Sequence, residues 1–455
     1  MRCPMIKTAV YLFLLMSFLG CRSEALYEKV VEADEEKRLT GINILSPEKE
    51  RSHHLGSTLS VKGSAFDARG VAGVRVFYEG PDAPEAFDAQ GTSFWSLSLN
   101  LKKGLNRISA EYWNSQGQKR ATPVKEVLYL WEKKGSLPYP QSYSRVVRHQ
   151  DKLYAVGGKL SISDPNASNM IYVYPDQIEV GRLSRPQFYG HVLVHQNRLY
   201  SIGGFYTSMR VNCFAEVLDF NNGHWIFNES LSTQDSLLVG FFTWSFLSAY
   251  GMIGDRFYVM AGGSLASYDL IIEYNLNDHS YHQIRRKMSN NLKNSGFVVY
   301  DNKIWAFGGE RGMEYDEGSG EAVPVDTIFV YDPAADNVSD YLNGPVLEPY
   351  VTRLSVARRD LSAVLVGSRV FLMGGVLADG SISDRIEVID LALCDAVART
   401  CPSPKIISSM PFPLHSFGAG ELNGKIYTFG GIKEDGTVIS DILEYDPAYD
   451  PMLND

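Results

Sequence analysis

Aromatic and basic side chains are concentrated in two stretches of the second half of the chain, residues 233–246 and residues 347–360. Aromatic rings pack on the apolar faces of sugars, and the planar guanidinium of arginine binds carboxylates through paired hydrogen bonds. Such a surface suits a carbohydrate, a carboxylated sugar or a peptide. The alternative is that both stretches are loop insertions that vary freely. The candidate ligand-contacting residues are Phe242, Trp244, Tyr350, Arg353, Arg358 and Arg359.

Few of these residues could take part in catalysis. An arginine of the second stretch and a carboxylate of the acidic loop at residues 310–326 would supply an acid–base pair. No catalytic motif aligns with the chain, so no catalytic residue is assigned. The acidic loop lacks the alternating ligand spacing of a calcium site, and we expect a solvated loop with no metal and no cofactor.

The first residues of the chain predict export. An apolar run at residues 9–19 follows two basic residues and is too short to span a bilayer, as in a secretory signal at residues 1–20. The run ends in Phe-Leu-Gly-Cys, which resembles a bacterial lipobox and implies acylation of Cys21. The alternative is an ordinary signal peptide that contains a cysteine. Arg22, in place of aspartate, favours the outer membrane, and the charged residues 21–39 are expected to form a tether.

Two further cysteines lie close together near the end of the chain. Cys394 and Cys401 flank an interval of six residues. Because an exported protein folds in an oxidising compartment, we expect a disulfide between them.

One pattern recurs six times from residue 137 onward. Each copy has a turn, a basic residue, an apolar strand with an aromatic residue, a pair of glycines and then a third strand that often ends in Tyr-Asp. The glycines are interpreted as structural residues, because a strand end of this kind needs backbone conformations that a Cβ would forbid. The pairs are Gly157-Gly158, Gly203-Gly204, Gly262-Gly263, Gly308-Gly309, Gly374-Gly375 and Gly430-Gly431.

This repeat resembles the kelch repeat, and the resemblance implies a six-bladed β-propeller over residues 127–455. Kelch propellers are most often recognition platforms whose long connections open on one face. Trp131 and Leu137 have the spacing of a fourth kelch strand, so the strand at residues 127–131 is expected to complete the last blade. The same strand also suits the end of the preceding domain, and both assignments stay open.

Residues 40–126 contain short alternating strands separated by turns, and their order resembles bacterial immunoglobulin-like modules. Such modules usually act as spacers or adhesion units. The expected fold class is therefore all-β, with a small immunoglobulin-like β-sandwich before a six-bladed kelch propeller.

The formal charge of −10 argues against nucleic acid as a partner. The leading hypothesis is a monomeric, lipid-anchored binding protein of the cell envelope that recognises a carbohydrate or protein partner through the long-loop face of its propeller. The alternative is an exported sugar mutarotase, similar to the N-acetylneuraminate epimerases with six kelch blades. A copper site like that of galactose oxidase and a sialidase-type Asp-box are not found in the sequence.

Overall fold

The computed structural model describes residues 40–161, 167–207, 210–211, 215–221, 224–228, 248–262, 268–277, 281–289, 292–311, 323–336 and 346–454. Within these ranges the protein is nearly all-β, with 39 strands, two short 3-10 helices (Leu391–Leu393 and Pro447–Tyr449) and one helix, α1 (Pro451–Asn454). Across the same ranges, no helix combines the length and the apolar character needed to cross a bilayer. The chain divides into two compact units, the first ending at Tyr129 and the second beginning at Leu130.

The first unit contains two antiparallel sheets, with strand orders β1-β3-β6 and β9-β7-β4-β5. Two further strands pair at the side of the second sheet, β2 with β9 and β8 with β7. The strands are β1 (Gly41–Ser46), β2 (Arg51–Leu55), β3 (Thr58–Phe66), β4 (Val71–Glu79), β5 (Glu85–Asp88), β6 (Phe94–Asn100), β7 (Gly104–Asn114), β8 (Lys119–Ala121) and β9 (Lys125–Ser136).

Alternating burial explains why these segments form sheets with one face inward. Along β3, Leu59, Val61 and Ala65 are buried while the residues beside them are partly or fully exposed. They share one core with residues of the other sheet, such as Val76 and Ile108. Both sheets of the unit therefore contribute to a single hydrophobic core.

The described residues of the second unit form four two-stranded sheets and six antiparallel arrays of three or four strands, the last of which shares β9 with the second sheet of the first unit. The first three are built from β10 (Arg145–His149), β11 (Lys152–Val156), β12 (Met170–Tyr174), β13 (Ile178–Arg182), β14 (His191–His195), β15 (Arg198–Ile202), β16 (Phe205–Thr207), β17 (Arg210–Val211), β18 (Ala215–Asp219), β19 (His224–Asn228), β20 (Ala249–Ile253), β21 (Arg256–Gly262), β22 (Tyr268–Asn275) and β23 (Tyr281–Lys287). Their strand orders are β10-β11-β12-β13, β14-β15-β18-β19 and β20-β21-β22-β23, and β16 pairs with β17.

The other three sheets repeat this plan. Their strands are β24 (Leu292–Lys293), β25 (Gly296–Tyr300), β26 (Lys303–Phe307), β27 (Glu310–Arg311), β28 (Ile328–Tyr331), β29 (Arg358–Arg359), β30 (Ser362–Val366), β31 (Arg369–Met373), β32 (Val376–Leu377), β33 (Ile386–Asp390), β34 (Lys405–Ile406), β35 (Leu414–His415), β36 (Gly418–Leu422), β37 (Lys425–Phe429), β38 (Ile432–Lys433) and β39 (Asp441–Tyr445). The strand orders are β25-β26-β28, β30-β31-β33-β34 and β36-β37-β39-β9, and three short two-stranded sheets pair β24 with β27, β29 with β32 and β35 with β38.

Tight turns and glycine pairs fix the ends of the second strand in these sheets. Gln196 and Asn197 join β14 to β15 with φ angles of 46° and 59°, the left-handed conformation that a two-residue hairpin requires. At the other end of a second strand, Gly430 and Gly431 have φ angles of 62° and 114°. A Cβ on Gly430 would collide with the backbone oxygen of Gln141, which explains why this position needs glycine.

Strand β9 contributes to both units in turn. Its residues up to Tyr129 pair with β7 inside the first unit, and its residues from Trp131 onward pair with β39 inside the second. Trp131 is fully buried, and its ring stacks on Tyr445 with 5.0 Å between centroids. Different parts of this strand therefore pair within each unit, and the two units divide between Tyr129 and Leu130.

The first strands of the six sheets lie next to one another. Contacts join β10 to β14, β14 to β20, β20 to β25, β25 to β30 and β30 to β36, and β36 in turn contacts β10. Apolar clusters also lie between neighbouring sheets, for example the cluster of Leu153 and Tyr172 with Leu422 and Phe429. Each of these four side chains points into a sheet-to-sheet interface, which is why the repeat demands apolar residues on both strand faces.

Candidate functional site

A cavity of about 620 Å³ lies between the first strands of the six sheets, and we call it the central cavity. Its walls are the residues of β10, β14, β20, β25, β30 and β36, and many of them are small, such as Gly296, Ala363 and Gly420. Small side chains on these strands leave room that a larger residue would fill. At the end where the first strands finish, Arg148 and Glu421 form an ion pair.

Five residues at the other end form what we call the polar cluster. Each lies two positions before a first strand and has a φ angle between 53° and 60°, which is uncommon for residues other than glycine. The sixth equivalent position, residue 247, lies outside the described residues. Non-glycine residues held in this conformation are frequent at functional sites. The members of the cluster are Tyr143, Tyr189, Asn294, Asp360 and Ser416, and all five line the central cavity.

Backbone hydrogen bonds hold the polar cluster together across the sheets. The amide of Tyr143 donates to the carbonyl of Ser416 at 2.7 Å, the amide of Ser416 donates to that of Asp360 at 3.1 Å, and the amide of Asp360 donates to that of Asn294 at 2.8 Å. These bonds connect the first, sixth, fifth and fourth sheets. The backbone positions that carry these four side chains are thereby fixed by bonds between sheets.

Asp360 is the carboxyl of the polar cluster, and it is buried. Nη1 of Arg359 donates to its Oδ2 at 2.7 Å, and Nε of Arg359 lies 3.2 Å from Oε2 of Glu310. Asn294 Nδ2 donates to the second oxygen of Glu310 at 3.0 Å. Burial raises the pKa of Asp360 to about 7 although the Arg359 cation acts in the opposite direction. This carboxyl therefore exchanges its proton near neutral pH.

The two tyrosines of the polar cluster and the neighbouring His415 stay neutral at pH 7. Burial raises the pKa of the Tyr143 and Tyr189 hydroxyls, whose rings are 4.5 Å apart. Burial and the Arg359 cation lower the pKa of His415 to about 4, and its Nδ1 lies 2.9 Å from Oγ of Ser416. The cluster thus presents neutral hydrogen-bonding groups around one carboxyl of intermediate acidity.

Two serine hydroxyls of the cavity wall have no hydrogen-bond partner among the described residues. Ser144 and Ser295 are at least nine-tenths buried, and the Oγ atoms of both are unpaired. A buried hydroxyl without a partner costs roughly 1–3 kcal/mol, so a hydroxyl or carbonyl of a bound molecule would be favoured here.

The sequence-predicted site residues fall in different places. Phe242, Trp244 and Cys21 lie outside the described residues. Tyr350 is buried, with its ring 5.5 Å from that of Trp305, and Arg353 is exposed. Arg359 is the predicted residue that the structure brings to the polar cluster, through its bond to Asp360.

Arg358 occupies the interior, in contrast to the expectation that it contacts a ligand. Its side chain has no solvent exposure and lies 2.9 Å from Oε1 of Glu387, which is equally buried. Its Nη atoms also donate to the carbonyls of Gly374, Arg385 and Leu372 at 3.0–3.2 Å. With both of its Nη atoms committed to these groups, the guanidinium holds the fifth sheet together and is not presented to the cavity.

Cys394 and Cys401 are joined by a disulfide in the loop between β33 and β34, next to the segment that carries Thr352. Among the described residues there is no group of three or more His, Cys, Asp or Glu side chains placed to hold a metal ion.

No protein-family model matches the sequence, and no curated protein matches it either.

Proposed function

We propose that the second unit is a six-bladed β-propeller of the kelch type. Six sequence repeats correspond to six antiparallel sheets, and the first strands of successive sheets contact one another from β10 to β36 and back to β10. The pairing of β9 with β39 adds a strand from before the first repeat to the sixth sheet. This arrangement leaves few sheet edges open, as closure of a propeller requires.

The function that this geometry supports best is binding of a carbohydrate in the central cavity, without catalysis. The observation that carries the proposal is that the buried hydroxyls of Ser144 and Ser295, which have no partner among the described residues, line the same cavity as Tyr143 and Tyr189. A sugar supplies many hydroxyls for such groups and an apolar ring face for the tyrosines. A volume of about 620 Å³ lies in the range of small-molecule sites. A protein partner, whose side chain or terminus enters the cavity, is the other outcome of the test below.

The double variant Ser144→Ala/Ser295→Ala tests this proposal. Because neither hydroxyl has a partner among the described residues, we expect the double variant to lose no stability, and the removal of two unpaired buried groups should raise the free energy of unfolding. We expect each lost hydrogen bond to weaken binding of a saccharide, first identified on a glycan array, by about 3- to 10-fold. Isothermal titration calorimetry and urea denaturation measure the two quantities separately.

Ser408→Ala is the matched control. The Ser408 hydroxyl is also buried but donates to Asp450 Oδ1 at 2.9 Å and is not part of the cavity wall. This variant should lose stability and keep its affinity. An array on which no saccharide binds, or an affinity that the double variant leaves unchanged, contradicts carbohydrate binding in the cavity.

A second candidate function is sugar mutarotation. It is favoured by Asp360, since a carboxyl whose pKa is about 7 is suited to both giving and taking a proton at neutral pH. Proton NMR saturation transfer between the anomers of N-acetylneuraminate or galactose detects such an activity. Exchange accelerated by the wild type and not by Asp360→Asn would establish the enzyme, whereas binding without acceleration favours the binding protein.

We also propose that the chain is exported and anchored at the outer membrane through a lipid on Cys21, with the first unit as an immunoglobulin-like spacer. The sequence before residue 40 supports this, and the alternating strands of the first unit are compatible with such a module. Labelling with an alkyne fatty acid should mark the wild type and not Cys21→Ser. Equal labelling of both proteins would exclude acylation at this cysteine.

A further inference from the structure

Arg145 is the first residue of β10, and its side chain reaches across the central cavity. Its Cζ lies 5.8 Å from the ring centroid of Tyr250 on β20 and 5.5 Å from that of Phe297 on β25. These strands belong to the third and fourth sheets, whereas β10 begins the first. The guanidinium is therefore placed inside the cavity, against the aromatic rings of the far wall.

Arg145 forms no ion pair in the part of the chain that the structure describes, although its charge acts through space on Asp360. Its Nε donates to the carbonyl of Gly190 at 3.3 Å, and no described carboxylate lies within 4.0 Å of its nitrogens. The two carboxylates of the cavity wall have other partners. Asp360 is bound to Arg359, and Glu421 is bound to Arg148.

An arginine in this setting has unused binding capacity. Its Nη atoms make no hydrogen bond to the described residues, and the planar guanidinium matches the two oxygens of a carboxylate. The aromatic rings behind it favour the cation but do not neutralise it, and they exclude water from one side. The unpartnered hydroxyl of Ser144, the preceding residue, adds a donor on the same wall.

We infer that the central cavity contains a carboxylate subsite at Arg145 and that its ligand is a carboxylated saccharide. This inference rests on the proposal that the cavity binds carbohydrate and names the class of sugar. The carboxylate pairs with the guanidinium, while the sugar hydroxyls bond to Ser144, Ser295 and the polar cluster.

Calorimetric titration with matched sugars tests the subsite on the full exported protein. The probes are D-galacturonate and D-glucuronate, each compared with the neutral hexose, D-galactose or D-glucose. We expect each acid that binds to do so at least about 10-fold more tightly than its neutral counterpart, because hydrogen bonds between charged groups are the strong ones. Arg145→Gln should remove this preference and leave the weak affinity for the neutral sugar, and Arg145→Lys should retain part of it.

Arg182→Gln is the control, since Arg182 lies on β13, outside the cavity, and pairs with Glu179. It should keep the preference for acids. Circular dichroism and melting curves establish that each Arg145 variant is folded. Equal affinity for acid and neutral sugars, or a preference that survives in Arg145→Gln, overturns the subsite while carbohydrate binding stands. Binding of inorganic sulfate but of no hexuronate overturns the carboxylate assignment, and a protein that binds none of these sugars and no saccharide on the glycan array overturns both proposals.

Discussion

We expect Arg358→Met to lower the free energy of unfolding by about 3–5 kcal/mol at pH 7. The substitution leaves the carboxylate of Glu387 buried without its cation, and one backbone amide, that of Ser355 at 2.9 Å, remains as its donor. Burial lowers the pKa of Arg358 to about 10, so the guanidinium is still charged at neutral pH and the loss is that of an ion pair. Urea denaturation followed by tryptophan fluorescence measures the change.

A double-mutant cycle separates the pair from the space it fills. Arg358→Met/Glu387→Met removes both charges and should be less destabilised than the sum of the two single variants, because no lone buried charge remains. Arg369→Met, an exposed arginine at the start of β31 in the same sheet, should change stability by less than about 0.5 kcal/mol. An Arg358→Met protein of unchanged stability that has lost its ligand would instead place Arg358 at the binding site.

The repeated sheets could be predicted from the sequence because each repeat contains, within a few residues, the turn, the strand and the glycine pair that its sheet requires. The basic residue after a tight turn marks the start of a second strand, as Lys152 does for β11 (Lys152–Val156), and the glycine pair marks its end. Gly157 and Gly158 have φ angles of 64° and 116°, which a residue with a Cβ rarely adopts. Local backbone conformation therefore determines where the turn, the second strand and the glycine pair lie.

The polar cluster could not be predicted in this way, because it depends on contacts between distant repeats. Tyr143 and Ser416 are joined by a backbone hydrogen bond although most of the second unit separates them in sequence. A signal was nevertheless present. Tyr143 precedes Gly157 by 14 residues, and the same offset leads from each other member of the cluster to its own glycine pair. Because the residue type at this position differs from repeat to repeat, the sequence does not show that the five positions lie close together in the structure.

The adjacent arginines show a second limit of sequence reasoning. Successive residues of a strand point to opposite faces, so Arg358 and Arg359 on β29 cannot both face a ligand. The sequence predicts that the two side chains point to opposite faces, but it does not predict which of them is buried. That choice follows from Glu387 on β33, which receives Arg358, and from Asp360, which receives Arg359.

Asp360→Asn is expected to change how stability depends on pH. In the wild type the folded carboxyl has a pKa of about 7, raised from 3.8 by burial, so the folded state keeps a proton that the unfolded state releases above pH 4. This group therefore costs stability progressively as the pH rises from about 4 to about 7, by up to about 4 kcal/mol. Relative to the wild type, the variant should gain stability across that window, as urea denaturation at intervals from pH 4 to pH 8 would show.

His415 provides a control for this prediction, because its ionisation changes stability with pH in the opposite direction. Its pKa is lowered from 6.5 to about 4 by burial and by Arg359, so the unfolded state binds the proton first and the wild type loses stability as the pH falls through that range. The two groups partly cancel in the wild type, and differences between variant and wild type reveal each one. His415→Asn should gain relative stability toward low pH, whereas Asp360→Asn gains it toward high pH. A constant difference between Asp360→Asn and the wild type from pH 4 to pH 8 would mean that Asp360 is ionised throughout, and the cluster would then hold a permanent carboxylate paired with Arg359.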